Sequence, residues 1–499
     1  MAITTYAAID VGSGELAMKI FEVSKTNGIV ELTHLRHKLS LGTEIFAHGH
    51  VSYKTMSEIC RVLRDFKEIM REYQVTSYHA YGTDALREAS NKLVLLDQIK
   101  LQADIKIRIL SNSEERFLYY KAISLKEKNF DDMIEEGALI VDMETGSVQL
   151  SYFDQGTLEF TQNLKLGSLR IHELLHTMES EIFNFNELIS EYMDKDLTEF
   201  CRMYLKNQKV PHIIAVGTKI PEIKYRIKEK NKNFTGLISR KDFSKIKTTD
   251  HISLPQSELV VPTLLLFKKI AALTKCDDIY MSAIDLCDSM VAEFAEKKQR
   301  ISYGHDFTQD IIATAKNIAC RYQVDMNHVD NVAYLAAEIF DSIRKLHGLG
   351  KRERLLLQIG VILHSCGAYV NMEQTRENSY KIIMSTEIIG ISHKERVIVA
   401  NIVRYNSEYF PPYEEIEDEI SREDYITIVK LCAILKLANV LDKSNTQKIK
   451  QVKVTLHENS LLIVAHTMAD ITLEKGLFHR KADVFEEAFG IRPILKKKK

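Results

Sequence analysis

The sequence predicts an α/β protein of two strand-rich halves, followed by an all-α domain and a small αβ cap. Three observations carry this reading. Ala7 to Ile9 form an apolar strand closed by Asp10 and the tight turn Gly12-Ser13-Gly14, after which Ala17, Lys19, Phe21 and Val23 alternate as a hairpin partner. The same order returns later, with strand Ala138-Leu-Ile-Val-Asp142, turn Met143-Glu144-Thr145-Gly146-Ser147 and strand Val148 to Phe153. From about residue 303 the alternation gives way to helical periodicity. The predicted divisions are residues 1–125 and 126–300 for the two halves, 301–445 for the helical domain and 446–499 for the cap.

Length and composition bound the rest. A chain of 499 residues has room for about three domains. It is 45% hydrophobic and 27% charged, enough for sizeable cores, and its net charge of −2 points neither to nucleic acid nor to a membrane surface. The sequence shows no signal peptide and no apolar run of about 18 residues. Its seven cysteines are scattered without C-x-x-C pairs and read as reduced thiols of a cytoplasmic protein.

Thr55 to Tyr73 is an amphipathic helix, with Met56, Ile59, Cys60, Leu63, Phe66, Ile69 and Met70 at spacings of three and four. Tyr78 to Tyr81 reads as a strand running into Gly82-Thr83-Asp84-Ala85-Leu86-Arg87-Glu88-Ala89. Arg87, one turn into a helix, suits a phosphate by its forked guanidinium, and suits equally a surface pair with Glu88 or Asp84. After the strand Lys106 to Leu110, Ser111 or Ser113 caps a helix whose first turn carries Glu114 and Glu115. Capping by itself accounts for those acids.

Together these stretches resemble the exopolyphosphatase/guanosine pentaphosphate phosphohydrolase (Ppx/GppA) family of the actin-like superfamily. The first turn is similar to that family's A-I-D-x-G-S-N-S and Gly82 to Ala89 to A-T-x-A-x-R-x-A. Ser111 to Glu115 resembles S-G-x-E-E, Asp142 to Ser147 resembles D-x-G-G-G-S, and Val216-Gly217-Thr218 stands at a G-G-T turn. Leu254-Pro255 with the helix to Thr274, then Tyr280 to Phe294, match the end of the second half. The resemblance implies two actin-like (ribonuclease H-like) half-domains and a homodimer. It further implies a magnesium-dependent hydrolase that releases terminal phosphate from inorganic polyphosphate or guanosine penta/tetraphosphate. Glu115 would activate water, Asp10 and Asp142 would hold Mg²⁺, Arg87 would bind a phosphate, and Gly12, Ser13, Gly146, Ser147, Gly217 and Thr218 would cradle phosphates.

The departures from the family pattern define a second reading. Gly14-Glu15 replaces N-S, Glu144 and Thr145 replace two glycines, and Ser111-Asn112-Ser113 lacks the expected glycine. Added carboxylates repel phosphate unless a cation intervenes, and Glu and Thr disfavour the backbone that glycine allows. A weakly active or inactive polyphosphate- or nucleotide-binding regulator is therefore the alternative. An ATP-using enzyme of the wider fold ranks last, for want of an adenosine signature.

Two further segments complete the chain. Between Lys219 and Lys247 ten Lys/Arg face three Asp/Glu, a track for a polyanion or simply a solvated loop. The expected helices are Thr308–Tyr322, Asn327–Leu346, Lys351–His364, Ser379–Met384, His393–Tyr405 and Tyr425–Leu441. They resemble an HD-type domain that has lost its metal ligands: His328 and Asp442 remain, but the His-Asp pair is His364-Ser365. His328 and His364 are then expected to be core or hydrogen-bonded histidines. Val452–His457 and Leu461–Thr467 form a hairpin, Asp483–Phe489 a last helix, and Lys496 to Lys499 a solvated tail.

Overall fold

The structure, a computed structural model, describes residues 3–175, 185–232, 234–246, 259–298, 301, 304–406 and 410–498. It divides into two compact units, Met1–Asp310 and Ile311–Lys499. Leu254-Pro255, Lys247 and Lys499 lie outside the described residues.

The first unit is built twice on one plan. Strands β1 (Thr4–Val11), β2 (Glu15–Ser24), β3 (Gly28–Lys38), β4 (Ser77–Gly82) and β5 (Ile107–Ile109) form a sheet in the order β3-β2-β1-β4-β5. Strands β6 (Ala138–Met143), β7 (Val148–Asp154), β8 (Thr157–Leu164), β9 (His212–Val216), β10 (Leu237–Ser239) and β11 (Asp278–Met281) form a second, ordered β10-β11-β9-β6-β7-β8. In each half an antiparallel meander supplies three strands, and the first of them pairs in parallel with the fourth. β10 is an added edge strand. The central strands β1 and β6 are buried on both faces, hence their continuous apolar runs.

Apolar cores fill behind each sheet. Ile9, Met18, Ile59, Leu63 and Leu86 belong to the first, and Leu139, Val141, Ile213, Leu264 and Phe267 to the second. The predicted amphipathic helix runs Tyr53–Glu72 and buries Ile59, Cys60, Leu63 and Phe66, as its spacing requires. Five strands of this unit went unforeseen, β3, β8, β9, β10 and β11. β3 and β8 are the outer strands of their meanders, with much of each side chain row partly or fully exposed, so neither carries a strong apolar signature.

The second unit holds helices Phe307–Arg321 (entering from the first unit), Met326–Ser342, Lys351–Leu363, Thr375–Ser385, His393–Arg404 and Arg422–Val440. The expected helix to Leu346 is interrupted, with a separate turn at Arg344–His347. The cap contains β12 (Gln451–Leu456), β13 (Ser460–His466) and β14 (Arg492–Lys498) in the order β12-β13-β14. Two expectations are corrected here. The last helix starts at Thr472, not Asp483, because Phe478, Ala482 and Phe485 share one buried face. Lys496 to Lys498 are no solvated tail: they end β14, paired with Val464, Ala465 and His466, with Pro493 buried between exposed neighbours.

His328 and His364 are both buried. His328 bonds Asp442 through Nδ1 at 2.8 Å and Asn439 through Nε2 at 3.2 Å, and His364 Nδ1 bonds the Val361 carbonyl at 2.7 Å. The seven cysteines are free thiols. Among the described residues no helix is long and apolar enough to cross a membrane.

Candidate active site

The two hairpin turns close in the same way. Gly12 N–H donates to the Glu15 carbonyl at 3.0 Å, and Glu144 N–H to the Ser147 carbonyl at 3.0 Å. Each turn is then held from outside by the helix that follows its meander. Gly42 N–H donates to Ser13 O at 2.7 Å, while Ser168 and Leu169 N–H donate to Glu144 O and Thr145 O at 3.1 and 3.0 Å. The approach is too close for side chains. A Cβ on Gly42 would meet Ser13 Cβ at 2.7 Å, and one on Gly167 would meet the Gly146 and Ser147 backbone within 2.3 Å. Gly217 has φ +128°, and a Cβ there would meet Met143 O at 2.1 Å. These glycines bring backbone against backbone; none of them opens the cleft to a ligand.

Between the turns lies a cavity of ≈ 460 Å³ lined by Asp10, Ser13, Asp84, Glu115, Glu144 and Thr218 among others. Glu115 reaches it by a division of labour at the start of helix Asn112–Lys126. Ser111 and Glu114 form a reciprocal capping box, and Glu114 also pairs with Arg108 at 2.8 Å. The next residue, about 100° further round the helix, points inward. Glu115 is 2% exposed and ion-paired with Arg87 Nη1 at 2.8 Å. The same Arg87 nitrogen donates to Leu110 O at 2.8 Å. The two surface pairings considered for Arg87 are therefore corrected. Glu88 pairs with Arg170, Asp84 bonds Ser13 and Gly146, and Arg87 faces the cleft acid.

The acids crowd one another. Asp142 is 2% exposed and no N–H or hydroxyl donor reaches its carboxylate oxygens, the Glu144 carboxyl alone standing within hydrogen-bonding reach when one of the pair is protonated; Asp10 Oδ1 is likewise buried and unpartnered. Burial, then the charge of Glu115, pushes Asp142 up to about 8 from an ordinary 3.8. Burial and Glu115 push Asp10 up in the same sense. Glu144 is raised by desolvation and by Asp142, while Thr218 donates its hydroxyl to Glu144 Oε2. Burial raises Glu115, and Arg87 draws it partly back. Arg116, 1% exposed and bonded through Nε to Gln149 at 2.8 Å, places a fixed positive charge beneath the group.

Unpaired buried carboxylate oxygens are the expected lining of a cation site. Among the described residues no three His, Cys, Asp or Glu are arranged to enclose a metal by themselves.

Of the residues expected to cradle phosphate, Gly12, Ser13 and Thr218 line the cavity, whereas Arg87, Gly146, Ser147 and Gly217, like the metal candidate Asp142, lie behind its wall, and several already have internal partners. Gly12 N–H closes its own turn, the Ser13 hydroxyl and Gly146 N–H both donate to Asp84, and Thr218 donates to Glu144. Ser147 Oγ is buried and unpartnered, and Gly217 is buried at the end of β9. Four participants escaped the sequence reading: Gly42, Asp84, Arg116 and Gly167. Gly167 had a signal, since Leu39-Ser40-Leu41-Gly42-Thr43 and Leu164-Lys165-Leu166-Gly167-Ser168 repeat one pattern after each meander. In the basic segment, Lys219 lines the cavity, whereas Arg226 and Lys245 pair with Glu222 and Asp242.

The Ppx/GppA phosphatase family model matches residues 20–258, and the model of that family's domain III matches residues 312–480. The chain belongs to the Ppx/GppA phosphatase family. Over 441 residues it is 21% identical to guanosine-5'-triphosphate,3'-diphosphate pyrophosphatase of Aliivibrio fischeri, covering 86% of each chain. A shorter match, 22% over 187 residues, is to the bifunctional 3-dehydroquinate synthase/phosphatase of Fusobacterium nucleatum; it takes in 36% of this chain and spans 28% of that protein. Among solved structures, an exopolyphosphatase from Cytophaga hutchinsonii matches with TM-score 0.50 at 17% identity, over 59% of this chain and 98% of that one. The likeness is one of fold, and it places the two repeated halves in the actin-like architecture of this family.

Proposed function

We propose that the protein is a Mg²⁺-dependent phosphoanhydride hydrolase that releases terminal phosphate from inorganic polyphosphate or guanosine pentaphosphate. The observation that carries the reading is the group Asp10, Glu115 and Asp142: two acids with bare buried oxygens beside a third held by a guanidinium. Asp142 and Asp10 would hold the ion, which when bound neutralises charge on the phosphate chain and orients it. Glu115, its carboxyl raised by burial, accepts the proton of the attacking water, and Arg87 fixes its direction. Arg87 is thus a positioning residue in the ligand-free protein and gains a phosphate as a further partner when substrate enters. The buried turns exclude water around Asp142, and Ser13, Gly146, Ser147, Gly217 and Thr218 would receive phosphate oxygens once released from their internal partners. The helical unit, read as a degenerate HD-type domain, would serve in homodimer packing.

The test is phosphate release from long-chain polyphosphate and from guanosine pentaphosphate by the wild-type protein, with Mg²⁺ and with EDTA. Release that EDTA abolishes supports the reading, and the preferred substrate names the activity. A second reading, a binding protein with little turnover, is favoured by Glu144, which stands in the cleft where the family pattern has glycine. The variant Glu144→Gly/Thr145→Gly separates the two. A rise from no release to steady turnover means a lapsed enzyme; an active wild type sinks this second reading.

A further inference from the structure

The two parallel strands that flank the cleft end on equivalent residues. β4 pairs with β1 so that Tyr81 stands beside Asp10, and β9 pairs with β6 so that Val216 stands beside Asp142. Gly82-Thr83-Asp84 therefore corresponds to Gly217-Thr218-Lys219. One strand end delivers a cation to the cavity wall; the other delivers an anion.

That anion does not face solvent. Asp84 is 6% exposed. Its Oδ1 accepts from the Ser13 hydroxyl at 2.6 Å and from Ala85 N–H at 2.8 Å, and its Oδ2 accepts from Gly146 N–H at 2.7 Å. Ser13 belongs to the first turn and Gly146 to the second, so one carboxylate spans both. All three donors are neutral, and Asp84 lies close enough to Glu115, Asp142 and Glu144 to disfavour their charged forms. A carboxylate surrounded by acids and held by a hydroxyl and turn N–H groups is placed as a bound oxyanion would be. The fit is close: a Cβ on Gly146 would lie 2.2 Å from Asp84 Oδ2, leaving no room for a second anion beside it.

We propose that Asp84 is an internal stand-in for a substrate phosphate. It fills the anion seat made by Ser13 and Gly146, clasps the two turns together in the ligand-free protein, and has to be displaced when a phosphate chain binds. The inference rests on the reading of this cleft as a phosphate site, and goes beyond it by naming what occupies the seat beforehand. Substrate affinity is then set against an intramolecular competitor, so the resting protein discriminates against ligands with few phosphates and favours long or multiply charged ones.

The probe is inorganic tripolyphosphate, its binding to the full chain measured by titration calorimetry with Mg²⁺, alongside the melting temperature without ligand. Asp84→Asn keeps the shape and an acceptor oxygen; Asp84→Ala removes both. If the seat is free of Asp84 in about one molecule in ten, the apparent affinity is lowered about tenfold, and removing the carboxylate restores that factor. The expected result is tripolyphosphate binding at least about tenfold tighter in both variants, with a lower ligand-free melting temperature. Glu173→Gln removes the same charge from the cavity wall without touching the cradle, and should change affinity less than about threefold. Unchanged or weaker binding in both Asp84 variants, with the wild type binding normally, overturns the stand-in and leaves Asp84 a structural clasp. Absence of binding in every form overturns the phosphate-site reading, and this inference with it. If Asp84→Ala does not fold, Asp84→Asn alone decides.

Discussion

Glu15 and Glu144 occupy turns of the same four-residue design, the first at the last position of its turn and the second at the first. Glu15 sits at the start of β2, beside β3, and Arg36 forks onto it with contacts of 2.7 Å from Nη2 to both carboxylate oxygens. Its charge is compensated at the cavity rim. Glu144 replaces the residue equivalent to Gly12 and faces inward, sharing its surroundings with Asp142, and its nearest donors are the neutral hydroxyls of Thr218 and Tyr119. A carboxylate added to a phosphate turn is therefore not one kind of change. At the rim it costs little, because an arginine on the next strand answers it; at the mouth of the turn it is itself raised by Asp142, raises Tyr119, and finds only neutral donors.

Metal should produce the largest effect on this contrast. If the second turn is the one short of positive charge, Mg²⁺ at about 100 times its dissociation constant adds about 2.7 kcal/mol of stability. The melting temperature should rise in the wild type and in Glu15→Gln but hardly at all in Asp142→Asn, as read by calorimetry. Next, Glu144→Gln should stabilise the metal-free protein by about 1–3 kcal/mol, since an amide removes one of two adjacent buried charges and brings donors to a place that lacks them. Loss of stability in chemical denaturation would show that the acid pair is not frustrated.

The pH dependence has a definite sign. A carboxyl held near 8 in the fold and at an ordinary 3.8 outside it contributes stability that is fully present below about 4 and is lost as pH rises through about 8. The metal-free wild type should melt at lower temperature at pH 8 than at pH 5, and Glu144→Gln should flatten that slope. The smallest effect belongs to the rim: Glu15→Gln should destabilise by no more than about 1 kcal/mol, the worth of an exposed pair, with the loss shrinking in high salt.

Much of this was legible in the chain. Asp10 and Asp142 close short apolar runs followed by small-residue turns, and the repetition of that strand-turn pattern marks a duplicated fold. Glu115 was legible only as one of two acids after a capping serine. Deciding which one caps needs the helix rotation that turns Glu114 to Arg108 and Glu115 to Arg87. Asp84 was illegible for a different reason. It touches Ser13 and Gly146, each more than sixty residues away in sequence, and nothing local marks an aspartate that bridges two turns. The strands β3 and β14 were obscured by composition, since edge strands rich in His, Lys and Arg read as solvated chain until their partners are known.

The most direct test of the account is phosphate release by Glu115→Gln beside the wild type, on whichever of polyphosphate or guanosine pentaphosphate the wild type prefers. The amide keeps the shape of the side chain and removes the proton acceptor. Turnover should fall by about 10²–10⁴ with tripolyphosphate binding retained. Turnover within a few-fold of wild type would contradict it, and would move the search for the base to another of the cleft acids.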